Sequence, residues 1–124
     1  MSIEFDPTRP IYLQIIEAIK KGSAQGHYPP GERLPSVRDM AKHMRVNPNT
    51  MSRAYMELER EGFIMTRRGE GSFVIEDAGR IAREKHALAR AARDRFIAEI
   101  QSLGLKPGQI EELLRSIGEE TSKS

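Results

Sequence analysis

Residues 45–55 read RVNPNTMSRAY, and they gather side chains with a particular hydrogen-bonding repertoire. An asparagine amide can accept and donate at once, which matches adenine at N6 and N7. An arginine fork matches guanine at O6 and N7. Asn47, Asn49, Thr50 and Arg53 therefore carry recognition chemistry within two helical turns of one another. Catalytic and metal chemistry find less support elsewhere in the chain. There are no cysteines, so a disulfide frame, a thiol nucleophile and a cysteine-type zinc site are all excluded. His27, His43 and His86 lie far apart, on different expected elements, and read as surface or half-buried side chains rather than a metal set. Glu57, Glu59 and Glu61 lack a nucleophile or a pocket motif and read as a solvated face. Met40, Met44, Met51 and Met65 read as core filling. No cofactor is implied, and an enzyme has almost no support.

The formal net charge is +2, but the positive charge is uneven. Between Arg33 and Arg68 stand eight lysines and arginines against four acids, a local excess of +4. Such an excess is either a mixed solvated surface or a footprint for a polyanion, and charge alone does not separate the two. The 124 residues suit one domain with an appendage. No apolar run approaches the ~20 residues that cross a bilayer, and the N-terminus lacks the pattern of a secretory signal. A cytoplasmic protein with no membrane partner is the expectation.

The recognition residues need elements to hold them. Pro10 opens a segment with Tyr12, Ile15, Ile16 and Ile19 at helical spacing, which predicts a first helix over 10–25. HYPPGERLPS, residues 27–36, reads only as loop or turn because of its prolines and glycine. Ser36 is a helix N-cap, and Val37, Met40, Ala41 and Met44 form the inner stripe of a second helix over 36–44. After the turn Arg45–Val46, Asn47 caps a third helix. Pro48 takes its first position, where a missing N–H costs nothing. This helix is expected to run to about Glu61, with Met51, Ala54, Tyr55 and Leu58 inside and Asn49, Arg53, Met56 and Arg60 outside. FIMTR (63–67) and SFVI (72–75) predict a hairpin, turned by RGEG (68–71). A long amphipathic helix over 79–103, a break at GLKPG and a second helix over 109–117 complete the chain, with the tail GEETSKS expected to be disordered.

Helix, helix, tight turn, helix and hairpin in that order make a winged helix-turn-helix. Its third helix would lie in a DNA major groove and its hairpin would touch backbone or minor groove. The short polar opening of helix 3 suits that role: it lets the helix end approach the bases, and its free N–H groups can take a phosphate. The fold class expected is α+β, mostly α: an N-terminal winged helix-turn-helix over 1–77 and a C-terminal α-helical hairpin over 78–124.

Residues 34–74, LPSVRDMAKHMRVNPNTMSRAYMELEREGFIMTRRGEGSFV, resemble the DNA-binding domain of the GntR family of bacterial transcription regulators. The matching motifs are LPSxR, the helix-turn-helix core, the E-x-EG-x-I run and the Gly-x-Gly-[ST]-F-V wing. VNPNT, RAY and the short helical C-terminus are similar to the YtrA-like subfamily. The resemblance implies that Arg38 contacts phosphate, and that Asn49, Thr50, Arg53 and the wing residues Arg68, Gly69 and Gly71 contact DNA. Ser36, Asn47 and Arg67 complete the expected DNA-binding set. Many members carry arginines near the start of helix 3, where this chain has Pro48 and Ser52, so their base preferences do not transfer. The resemblance further implies a repressor that acts on double-stranded DNA, with transporter genes among its expected targets.

Members of this family usually have a larger C-terminal ligand-binding domain. The 46 residues after the wing can form a dimer interface but hardly enclose a ligand, and the sequence specifies no effector. Dimerisation is expected to use Ile81, Leu88, Phe96, Ile100, Leu103, Leu113 and Leu114, pairing two reading helices with a palindromic operator. A winged helix that binds protein instead of DNA is the alternative. Arg53, Arg67 and Arg68 weigh against it, because an acidic reading helix without a basic wing would favour that use.

Overall fold

The computed structural model describes residues 4–123. Its elements are α1 (Ile11–Ala24), α2 (Val37–Met44), α3 (Pro48–Arg60), β1 (Ile64–Arg67), β2 (Gly71–Val74), α4 (Ala78–Ser102) and α5 (Pro107–Ser122). The chain divides into two compact units, Met1–Leu88 and Ala89–Ser124. The expected boundary at 77/78 coincides with the start of α4, whereas the first unit continues to Leu88.

The apolar spacing of the three short helices explains the core of the first unit. Ile15, Ile16 and Ile19 of α1 meet Met40, Ala41 and Met44 of α2 and Met51, Ala54, Tyr55 and Leu58 of α3. Phe63, Ile64 and Val74 close this core from the hairpin side. Phe63, Ile15, Ile19 and Leu58 are wholly buried, and each such side chain contributes ~1.5–3 kcal/mol of transfer free energy. The Tyr55 hydroxyl is buried with them and donates to the Pro35 carbonyl at 2.6 Å, which satisfies its polar end. Burial pushes its pKa above the ordinary tyrosine value.

Both reading-side helices start as their sequences dictate. The Ser36 hydroxyl accepts from the Asp39 N–H at 3.1 Å, and the Asn47 amide oxygen accepts from the Asn49 N–H at 2.7 Å, with Pro48 in the first turn. Between α2 and α3 the chain turns through Arg45, at φ 57° and ψ 49°. This left-handed conformation is one that a side chain with a Cβ adopts at a cost of ~1–2 kcal/mol. Arg45→Gly removes that cost and regains part of it as unfolded-state entropy, so a net stabilisation of about 0.5–1 kcal/mol is expected. A thermal melt checks it: an unchanged or lowered midpoint means the turn is not strained by its side chain.

The wing departs from a simple hairpin. β1 and β2 pair antiparallel from Ile64↔Val74 to Arg67↔Gly71. The segment expected to be only loop adds a third, one-residue rung, with Arg33 bridged to Phe73. The Leu34 N–H donates to the Ser72 carbonyl at 2.8 Å, and the Val74 N–H to the Glu32 carbonyl at 2.9 Å. Prolines at 29, 30 and 35 disguise this rung, but none occupies the bonded positions.

α4 begins with the Asp77 carboxylate accepting from the Arg80 N–H at 2.9 Å. Its first turns belong to the winged unit. Ile81 joins the core cluster, and Lys20 of α1 bridges Glu61 at 2.8 Å and Glu84 at 3.1 Å. Burial raises the Glu84 carboxyl, but hydrogen bonds from Lys20 and Arg80 outweigh it and hold the pKa below the usual value.

In the second unit Gly104 turns the chain at φ 71°, and the Lys106 N–H donates to the Gln109 side chain at 2.9 Å where α5 begins. α5 runs to Ser122, so the tail 118–122 expected to be disordered is helical, while Ser124 lies outside the described residues. Gly118 costs about 1 kcal/mol against alanine in a helix, but the residues around it are compatible with one. The Thr121 hydroxyl donates back to the Ile117 carbonyl at 2.9 Å. Among the described residues no helix is long and apolar enough to cross a membrane.

Candidate nucleic-acid interface

The third helix presents the division its spacing dictates. Met51, Ala54, Tyr55 and Leu58 are buried, whereas Asn49, Arg53, Met56 and Arg60 are exposed. Asn49 and Arg53, four residues apart, share one edge of that outer face. Thr50 is half-buried beside them. Asn47 is exposed, but its amide oxygen is committed to the cap, which leaves its NH₂ free to donate. The Ser36 hydroxyl is committed as an acceptor in the same way. Arg38 stands exposed in the first turn of α2.

At the wing tip the Glu70 N–H donates to the Arg67 carbonyl at 2.9 Å, closing a turn with Gly69 at φ 79°. A positive φ at that third position is what a type II turn requires of its residue, and glycine meets it without strain. Gly71 has a different reason to be glycine. Its φ is 116°, and a Cβ there would stand 2.8 Å from Nε of Arg33. Arg67 lies over the Phe73 ring at 4.7 Å, and Arg53 over the Tyr12 ring at 3.8 Å. Arg68 is exposed on the turn.

Ion pairing separates these arginines from others in the chain. Arg9, Arg60, Arg80 and Arg93 each face a carboxylate: Glu17, Glu57, Glu84 and Asp94. Among the described residues none of the salt bridges includes Arg33, Arg38, Arg53, Arg67 or Arg68. Two of these are instead stacked on aromatic rings, contacts that hold a guanidinium while leaving its charge uncompensated. Positive charge without an acidic partner is what a polyanion can use.

Two contributors escape a reading by sequence spacing. Arg33 reaches the wing only through the Arg33–Phe73 bridge, and Tyr12 reaches Arg53 only because α1 packs on α3. A tyrosine at helical spacing in α1 reads as core, which in part it is.

The expected dimerisation residues fall into different environments. Ile81 is buried in the core of the first unit. Leu88, Phe96 and Leu113 are half-buried and Ile100 is buried. Leu103 is 65% exposed and Leu114 50% exposed, with Ile97 and Ile117 exposed near them in sequence. No residue of α5 is fully buried.

The family model for bacterial regulatory proteins, gntR family, matches residues 11–74. The HTH-type transcriptional regulator YhcF of Bacillus subtilis is 41% identical to this chain, over 94% of each. The HTH-type transcriptional repressor YtrA of the same organism is 38% identical, over 93% of this chain and 91% of its own. Among solved structures, a GntR family transcriptional regulator from Listeria monocytogenes superposes with a TM-score of 0.77 and 38% identity, over 90% of this chain and 98% of its own.

Proposed function

Since this chain belongs to the GntR family and is a transcriptional regulator with a winged helix-turn-helix DNA-binding domain, we propose that it is a cytoplasmic repressor that binds a palindromic operator as a homodimer. The observation that carries this reading is the set of arginines without acidic partners on α2, α3 and the wing, beside the exposed asparagine end of α3. The exposed apolar residues of α4 and α5 support the dimer, and the name of the repressor YtrA supports repression. Transporter genes are the targets to examine first, because of the YtrA-like resemblance.

A salt titration tests the DNA reading. Each phosphate neutralised lowers log affinity by about 0.9 per unit of log salt. Arg38, Arg67 and Arg68 from each of two protomers would make about six contacts, so affinity is expected to fall roughly a thousandfold between 50 and 200 mM salt. A gel-shift series across that range reads the slope. A flat response would remove the phosphate contacts from the account and favour a protein-binding use of the winged helix.

A further inference from the structure

Arg53 sits in the second turn of α3, on the same outer edge as Asn49. It is exposed, yet it is not left to wander: its Cζ stands 3.8 Å from the centroid of the Tyr12 ring. Tyr12 belongs to the first turn of α1 and is half-buried against the core, so the ring is itself fixed. No carboxylate among the described residues holds Arg53, whereas Arg60, two turns further along the same face, is taken by Glu57. The aromatic contact is therefore the one constraint on Arg53 that leaves its charge and its hydrogen-bond donors for a ligand. Arginine loses rotamer freedom when it reads a base, and a guanidinium already held against a ring has surrendered part of it beforehand. Reading a guanine at O6 and N7 needs two donors in one plane at a fixed place, which favours a guanidinium held beforehand over a mobile one.

From this contact we infer that Tyr12 is a positioning residue for base recognition: its ring holds Arg53 so that the guanidinium reads a guanine next to the base read by Asn49. The inference rests on the DNA-binding reading above and adds a determinant outside the helix-turn-helix. The ring, not the hydroxyl, carries the role. Tyr12→Phe keeps it and Tyr12→Leu removes it while keeping an apolar side chain against the core.

The test is site selection from a random duplex pool with full-length wild type, Arg53→Ala, Tyr12→Leu and Tyr12→Phe. Arg53→Ala identifies the base pair that Arg53 reads. Tyr12→Leu is expected to lose about tenfold in discrimination at that same pair, with Tyr12→Phe like wild type and the Tyr12→Leu, Arg53→Ala double variant no worse than Arg53→Ala alone. Unaltered preference in a folded Tyr12→Leu protein, or equal weakening on every sequence, would overturn the inference. A wild type that selects no sequence would overturn it together with the functional reading beneath it. A second measurement needs no variant. Ring-current displacement of the Arg53 Cδ protons in NMR spectra should appear in free protein and persist on the selected duplex, and its disappearance on binding would show that Arg53 leaves the ring to reach DNA, contrary to the inference.

Discussion

Full-length protein carrying Leu103→Glu and Leu114→Glu is expected to sediment as a monomer at micromolar concentration, and the unsubstituted chain is expected to sediment as the proposed dimer. Both leucines stand mostly in solvent within one chain, 65% and 50% exposed. Charging them therefore takes less from the packing of that chain than charging a core residue would. In a two-fold interface each residue occurs twice, so each substitution removes two buried contacts. A fully buried leucine contributes ~1.5–3 kcal/mol. Allowing for the area already covered, the pair of substitutions should weaken the dimer by roughly 3–6 kcal/mol, on the order of a hundredfold to ten-thousandfold in dissociation constant. Ile81→Ala is the contrasting variant. Its side chain lies in the core of the first unit, so it should lower stability by roughly 2–5 kcal/mol without changing the oligomeric state of folded protein. Sedimentation equilibrium separates these cases. A persistent dimer in the double variant would move the interface elsewhere, and a monomeric unsubstituted chain would remove it.

How far the sequence speaks depends on whether a feature is local. Asn47 followed by Pro48 marks a helix start because cap and first-turn chemistry are settled within a few residues, and α3 begins there. The RGEG turn is legible for the same reason, since the positive φ of Gly69 is a local demand, although the approach of Arg33 to Gly71 is not. Features made by contact between distant segments are not legible. The rung at Arg33 depends on where β2 passes, and the proline-rich segment around it carries no strand periodicity. Ile81 and Leu88 share one heptad spacing, yet Ile81 enters the first unit's core and Leu88 is only half-covered, because periodicity records a face and not what covers it. The left-handed Arg45 is a related case. The turn at Arg45–Val46 is legible, but its left-handed conformation is not, because a glycine would have announced it and an arginine conceals it. The aromatic partner of Arg53 lies on another helix, and spacing along α3 carries no trace of it.

Arg38→Ala and Asn49→Ala are expected to fail in different ways on the same operator. Arg38 is exposed in the first turn of α2 with no salt bridge among the described residues. Beside a phosphate it would act as a charge, so its loss should weaken binding to every duplex alike and reduce the salt slope by about 0.9 per protomer. Asn49 differs because its backbone is pinned. Its N–H is held by Asn47 at 2.7 Å, which fixes the helix end and leaves the exposed amide to meet a base edge. Losing one bidentate base contact costs ~1–3 kcal/mol, and a palindrome contains that contact twice. The preferred operator should therefore weaken by roughly 2–6 kcal/mol, while binding to unrelated duplex and the salt slope stay near wild type. Asn47→Ala removes the cap and should lower stability by ~1 kcal/mol. Selection from a random pool, repeated at two salt concentrations, reads both properties together. Identical selected sequences for the Arg38 and Asn49 variants, weakened to the same degree, would mean that the end of α3 holds the backbone as α2 does, and that the bases are read elsewhere.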